Sequence, residues 1–598
     1  MGFFLDGKGV SGIVGARYGS AMKLFAKSED EMVKRRRVWT IVLAGGLGVL
    51  MAQTATAQVA HERLTAVGQM VERIRAFGQR LPAARRDALS SGALNLINLA
   101  ERWDQIEPHL RQVTPGPGRI GPVAPALNGH EQTAAIEIMA PKQVSNLSAD
   151  VSSSRLAGFT QSETSTAWCG NNVVIGFNDS GSFWETALLS GSGLSFNGVA
   201  RSTNKGGSFT DLGFLNPGPV ITDFLAGDPV LGCSDANTFY YASIFVRATT
   251  SDISVSKSFD GGQTFGDPVS AVSKASATHF LEKAWIVVDP TNLSRIYVTY
   301  TDFDDSGNLC GVDPVSGLSV SRTAIELVRS TDGGTSWGTP VVIDEVCGSA
   351  FVQGSQVAVG PGGEVYVAWE GFAASGAREI DIRKSTDSGA TFGALVKVDN
   401  VICAGTCDLL QGGFRTGFEF PTLAVDRSGK ATNGSIYIAW NDGRNLTVPD
   451  AAFGSYGYTD IMASRSTDGG ATWLAPIRVN NNPEPLSSGL GTDQYQPGIA
   501  VDKTGKVGIC FYDRRSDPRN FFIDRECAFS KNAGTSWSNK KITKKNFPAV
   551  PGQDVLLDPL YMGDYDSLAS DFAKTNGGFI GAWGDNSLGN PDVKAEKF

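Results

Sequence analysis

The stretch STDGGTSW, residues 330–337, recurs with small changes as STNKGGSF (202), SFDGGQTF (258), STDSGATF (385), STDGGATW (466) and SKNAGTSW (530). The shared pattern is Ser-x-Asp/Asn-x-Gly-x-Ser/Thr-Trp/Phe. Six matches, 55 to 81 residues apart, are the mark of a repeated structural unit. The chemistry of the pattern is that of a tight turn. The Asp or Asn bonds backbone amides, the Gly takes a left-handed conformation, and the final aromatic packs under the hairpin. These residues are read as staples and not as catalysts.

Between the octapeptides a second element repeats, an apolar strand ending in most cases in an acid. It reads VVIGFND (173–179), FYYASIF (239–245), IYVTYTD (296–302), VYVAWE (365–370), IYIAWND (436–442), VGICFYD (507–513) and FIGAWGD (579–585). That makes seven units, one more than the octapeptides. The 71 glycines and the frequent Asn, Asp and Ser between short apolar runs favour many turns over long helices, so the class is all-β. The acids Asp179, Asp302, Glu370, Asp442, Asp513 and Asp585 occupy equivalent strand ends. Two readings stand for them, convergence on a common centre or, with more weight, each acid capping its own turn.

The N-terminal region differs. Lys34, Arg35, Arg36 and Arg37 precede the apolar run WTIVLAGGLGVLMA and the small residues Ala55, Thr56 and Ala57, which is the layout of a Sec-type secretion signal cut after Ala57. Met32 starts a signal of ordinary length, so residues 1–31 are consistent with a misplaced start. The apolar run falls short of the ~20 residues that cross a bilayer, so no stable membrane span is expected after cleavage. Residues 58–113 follow a helical period through Leu64, Val67, Val71, Ile74, Phe77 and Leu81, then Leu96, Leu99, Trp103, Ile106 and Leu110, with a break near Pro82. Residues 114–130 are a Pro/Gly linker, and 131–598 hold the repeats.

Loss of residues 1–57 removes eight Lys or Arg and four Asp or Glu, taking the net charge from −9 to −13. Nucleic acid is thereby excluded as a partner, since phosphate contacts need clustered cations. Eight cysteines in an exported chain imply disulfides and a secreted, periplasmic or cell-surface location. Cys510 with Cys527 flanks one hairpin, and Cys403 with Cys407 has the spacing of a local bridge.

The octapeptide is the Asp box (BNR repeat), and residues 165–598 resemble the sialidase superfamily. That resemblance implies a β-propeller, of seven blades by unit count with six as the alternative, closed by an N-terminal strand such as AAIEIMA (134–140). It also implies a glycan or glycoprotein ligand. Family members use a Tyr nucleophile assisted by a Glu, an acid/base Asp, and three Arg that grip a carboxylate. By likeness of EFPTLAVDRSGK, WNDGR, DPRNFFIDRECAFS and YMGDYDSLASD to the family strands, the counterparts are Glu419, Arg444, Arg519 (with Arg514 and Arg515 as rivals) and Tyr565. The first Arg motif is missing; GDPVL (227–231) stands in its place and offers Asp228 as the acid/base candidate. The functional expectation is a sialidase-type exo-glycosidase, the alternative a non-catalytic carbohydrate- or protein-binding propeller. No cofactor is required. One loop, DFDDSGNLCGVD (302–313), spaces Asp302, Asp304, Ser306, Asn308 and Asp313 as a calcium loop spaces its oxygens, and calcium is the cofactor it suggests.

Overall fold

Seven sheets stand around one axis in the computed structural model, each with antiparallel blade strands, the second also carrying one short parallel pair, Leu194–Ser195 with Phe224–Leu225. The structure describes residues 64–65, 67–79, 81, 86, 89–110, 141–145, 158–188, 192–407, 409–416, 418–554 and 556–598. The signal, its cleavage point at Ala57, Pro82 and residues 114–130 and 134–140 lie outside the described residues.

Blades 1 to 6 begin with innermost strands Gln161–Cys169, Val230–Cys233, His279–Val288, Phe351–Val359, Thr422–Val425 and Gln494–Val501, and blade 7 with Leu568–Ser570. Each innermost strand touches the next, and blade 7 returns to blade 1, so the ring is closed. The seven apolar units are the second strands, running from Asn172–Asp179 in blade 1 to Phe579–Asp585 in blade 7. They read as continuous apolar runs because both faces are covered by neighbouring blades, Phe239–Val246 being buried at every residue.

The octapeptides join third to fourth strands in blades 1 to 6. In all six the first Ser accepts the N–H of the fifth-position Gly, at 2.8 to 2.9 Å. Those glycines have φ between 75° and 89°, where a Cβ would strain the backbone. The aromatics Phe209, Phe265, Trp337, Phe392, Trp473 and Trp537 each pack against a different core cluster.

Blade 7 lacks an octapeptide for a topological reason. Its third strand is Asp592–Lys597 and its fourth is Lys142–Gln143, paired antiparallel as Lys142 with Ala595 and Gln143 with Lys594. The two come from opposite ends of the repeat region, so the connection that carries the octapeptide elsewhere does not exist. The closing strand therefore follows the 134–140 segment expected to supply it.

Four disulfides form: Cys169–Cys233, Cys310–Cys347, Cys403–Cys407 and Cys510–Cys527. The first ties the innermost strands of blades 1 and 2. Helices α1 (residues 67–79) and α2 (Ser91–Leu110) lie across one face of the ring. Their apolar side, including Val67, Val71, Phe77, Leu96 and Trp103, forms one core with Phe183, Phe196, Phe224, Phe280 and Phe303 of the blades. A further helix, α3 (Ser180–Leu188), is inserted after the second strand of blade 1.

Candidate functional site

The innermost strands reach the axis where their regular pairing breaks. Register shifts between Ser162 and Ser165, Glu282 and Trp285, Gln353 and Gln356, and Tyr495 and Gly498 mark a bulge in four blades. A bulge adds a residue that the partner strand does not oppose and re-aims its side chain. Glu163, Lys283, Gly354 and Gln496 stand in these bulges, while Asp228, Phe420 and Tyr565 stand just ahead of the paired parts of the other three strands. Glu163, Asp228 and Gln496 have φ of 52°, 54° and 52°. Side chains seldom accept that backbone, and strain of this kind concentrates at functional sites.

At the axis the Lys283 ammonium lies 4.2 Å from the ring centroid of Tyr565, 4.9 Å from that of Phe420 and 5.7 Å from that of Trp285. Gly354 makes the crowding possible, since a Cβ there would come within 2.1 Å of Phe420 Cδ1. Glu163, Asp228, Glu282 and Asp564 gather around this centre, none of them more than 4% exposed. Burial raises the carboxyl of Glu163, and the charges of Asp228 and Asp564 raise it further. Burial also raises Asp228, against the pull of Lys283. Glu282 is pushed up to about 8 by burial and then by the Asp228 charge. Burial lowers Lys283, which the four acids oppose. Four carboxyl groups facing one ammonium do not all ionise together near neutrality.

Ser90, immediately before α2, seals the centre from the helical side. Its N–H donates to Glu282 Oε1 at 2.9 Å, and its Oγ lies 2.7 Å from Glu282 Oε2 and 3.0 Å from Asp228 Oδ2. A hydroxyl has one proton to donate, so one of these carboxyl groups must donate in return. The two carboxyl oxygens, bridged by one atom, are no more than about 6 Å apart, which accommodates the ≈ 5–5.5 Å carboxyl separation of retaining glycosidases.

The residues expected from sequence fall in different places. Tyr565 and Asp228 both belong to the axial cluster. The Tyr565 hydroxyl, however, donates to the carbonyl of Pro229 at 2.9 Å, and burial with the charges of Asp228 and Glu163 holds the phenol well above its usual range. That is the reverse of an activated tyrosinate. Glu419 does not reach Tyr565: its Oε2 takes Arg378 Nη1 at 2.5 Å and its Oε1 takes the N–H of Ala404 at 2.8 Å. Arg444 pairs with Asp442 of its own blade 5 and with Asp399 on the outer strand of blade 4, each at 2.6 Å. Arg519 is 73% exposed and pairs with Asp517. Of its rivals, Arg514 is fully buried against Phe414, and Arg515 pairs with Asp513.

The strand-end acids sit one strand out from the axis. Asp179, Asp442, Asp513 and Asp585 each accept the N–H two residues on, at 2.7 to 3.0 Å, and so cap their own turns. The 302–313 loop has partners within the protein. Asp302 takes His279 Nδ1 at 2.9 Å, Lys274 Nζ at 2.8 Å and Arg322 Nη1 at 3.3 Å. Asp304 accepts the N–H of Ser306, whose Oγ accepts the N–H of Asn308. Asp313 folds back onto Val315 and Ser316. Asp304, Ser306 and Asp313 thus accept from their own turns and Asp302 has its countercharge, while one atom each of His279, Asp302 and Asp304 lies within 4.8 Å of the others. Sequence reasoning passed over Glu163, Glu282 and Lys283. The signal lay in FLEKAWIVV, where two charges interrupt an apolar strand, and in QSETSTAW.

No known family profile matches the chain, and no curated protein is similar to it in sequence. Solved structures with a likeness include a Hadza microbial sialidase, Hz136, at 15% identity over 67% of this chain and 71% of that one, TM-score 0.39. A Penicillium chrysogenum α-L-arabinanase is 12% identical over 62% and 93%, TM-score 0.40. A PL25 ulvan lyase is 11% identical over 77% and 95%, TM-score 0.41. Likeness this distant carries neither residue equivalence nor substrate.

Proposed function

We propose that this chain is an exported, glycan-directed propeller whose chemistry resides in the axial carboxyl pair Asp228 and Glu282. The observation that carries the reading is the single hydroxyl bridging those two groups, which keeps an oxygen of each within about 6 Å of the other, a limit that admits the ~5–5.5 Å separation of a retaining pair. Their environments divide the roles, since Glu282 stays protonated at neutral pH while Asp228, nearer the pull of Lys283, ionises first. Glu282 donates its proton to the glycosidic oxygen as the C–O bond breaks, and Asp228 bonds the anomeric carbon. Water then displaces Asp228 and returns its proton to Glu282.

The one ammonium is already faced by four carboxyl groups, so the centre has no free positive charge to grip a sugar carboxylate. A neutral glycan therefore fits this centre better than a sialoside, and the sialidase-type tyrosine mechanism finds no support in the protonated, carbonyl-bound Tyr565. The non-catalytic binding reading is favoured by one observation, that Ser90 already fills the pair. The four disulfides fit an oxidising compartment, and no helix among the described residues is long and apolar enough to cross a membrane.

The test is turnover of fluorogenic neutral glycosides and sialosides by residues 58–598, both intact and cut within 114–130. Glu282→Gln and Asp228→Asn are each expected to lower kcat/KM at least about 100-fold, and Tyr565→Phe less than about 10-fold. Loss of activity in Tyr565→Phe alone would return the chemistry to the tyrosine. Binding without turnover in any form would leave a lectin-like propeller. Calcium at 302–313 is supported by spacing alone, and a calcium-dependent rise in Tm that Asp304→Asn removes is the result that would sustain it.

A further inference from the structure

Something other than substrate occupies the proposed centre. α2 is anchored by an apolar face: Phe77 of the preceding helix stacks on Phe280 with centroids 4.9 Å apart, and Trp103 and Leu96 join the same core as Phe196 and Phe224. Polar contacts fix its position along the ring, with Asp558 N donating to Asn95 Oδ1 at 2.7 Å and Asn98 Nδ2 donating to the Asp558 carboxylate. The residues at the axis are held differently. Leu89 O accepts from Arg415 Nη2 at 3.1 Å, Ser90 meets both carboxyl groups, and Gly92 lies so close that a Cβ would come within 1.9 Å of Asp228 Oδ1.

A covering layer needs only apolar contact. The Ser90 hydroxyl set between the two acids presents what a sugar hydroxyl presents, a group that both donates and accepts. We propose that Leu89, Ser90 and Gly92 form an internal stopper that mimics a glycan hydroxyl at Asp228 and Glu282 and keeps the centre closed until α2 leaves the mouth of the ring. The inference rests on the axial pair being the glycan site. Glu282 and Asp228 are inaccessible while α2 is docked, and the chain is latent. Because the hairpin is tethered, its effective concentration at the face is millimolar or more, so severing the tether and diluting removes most of its advantage over a dissolved glycan.

The experiment places a specific protease site within residues 114–130 of the full chain, cuts the folded protein and dilutes it to nanomolar concentration. Size exclusion follows the hairpin, and neutral-glycoside turnover and glycan binding are measured before and after. Gly92→Leu and Asn98→Asp, neither in the proposed chemistry, weaken docking at its two ends. The expected result is hairpin release with at least a 10-fold gain in turnover or binding, at lower dilution in the two variants. A hairpin that stays bound at nanomolar concentration in all three proteins is a permanent structural layer and overturns the stopper. Release with unchanged activity also overturns it, and Glu282→Gln then separates the causes. If that variant abolishes the activity, the axial pair remains the site and only the stopper fails; if it does not, the site reading fails as well.

Discussion

Single residues at the axis trade stability for a chemical environment. Glu282 keeps its proton to about 8, whereas in an unfolded chain it releases it near 4.5. Between those values the folded protein binds the extra proton, so Glu282's contribution is complete below about pH 4.5 and is lost as pH rises toward 8. The apparent Tm is expected to fall from pH 5 to pH 8, and Glu282→Gln to flatten that slope; calorimetry across this range checks it. An unchanged slope in the variant would mean that other buried acids, such as Glu163, carry the dependence. At this scale little was legible beforehand. Tyr565, expected from strand likeness, and Asp228, expected from the position of GDPVL, lie together at the axis, but Glu419, Arg444 and Arg519 are not brought to them, because each finds a nearer countercharge in Arg378, Asp442 or Asp517.

Elements obey their local sequence closely. The octapeptide's first Ser is as consequential as its Asp, since Gly470 N donates to Ser466 Oγ at 2.9 Å and both residues are buried. Ser466→Ala leaves that N–H without a partner and is expected to destabilise by about 1–3 kcal/mol. Ser466→Thr, which keeps the oxygen, is expected to lose less. Denaturant melts followed by Trp fluorescence distinguish the two, and equal losses would show that the bond is not the staple. The seven apolar units were readable as strands for the same local reason, each being an uninterrupted run covered on both faces.

Closure belongs to the whole molecule. Val144 enters the core of blades 7 and 1 with Trp168, Val173 and Ala595, and its N–H donates to Val593 O at 2.9 Å. Val144→Asp buries an unpaired charge at the seam and is expected to cost about 3 kcal/mol or more, against nothing measurable for Val315→Asp, where the valine is 94% exposed. Equal melting of the two variants would mean that the ring holds without its closing strand. The count of seven with only six octapeptides also resolves here, because the third and fourth strands of blade 7, Asp592–Lys597 and Lys142–Gln143, are far apart in sequence and no turn joins them.

By itself the sequence determined the all-β class, the seven repeated strands, the stapled turns, the helical N-terminal segment and two of the four disulfides. These depend on periodicity and turn chemistry acting over a few dozen residues at most. Only the tertiary structure decided what meets at the axis. Glu163, Asp228, Lys283, Phe420 and Tyr565 come from five blades, Glu163 and Lys283 from bulges and the other three from just ahead of the paired parts of their strands, and no local pattern announces either. It alone decided that Ser90, 138 residues from Asp228 and 192 from Glu282, would fill the space between them. Contacts at such separations are set by ring closure and by the apolar face under α2, and a linear reading contains neither.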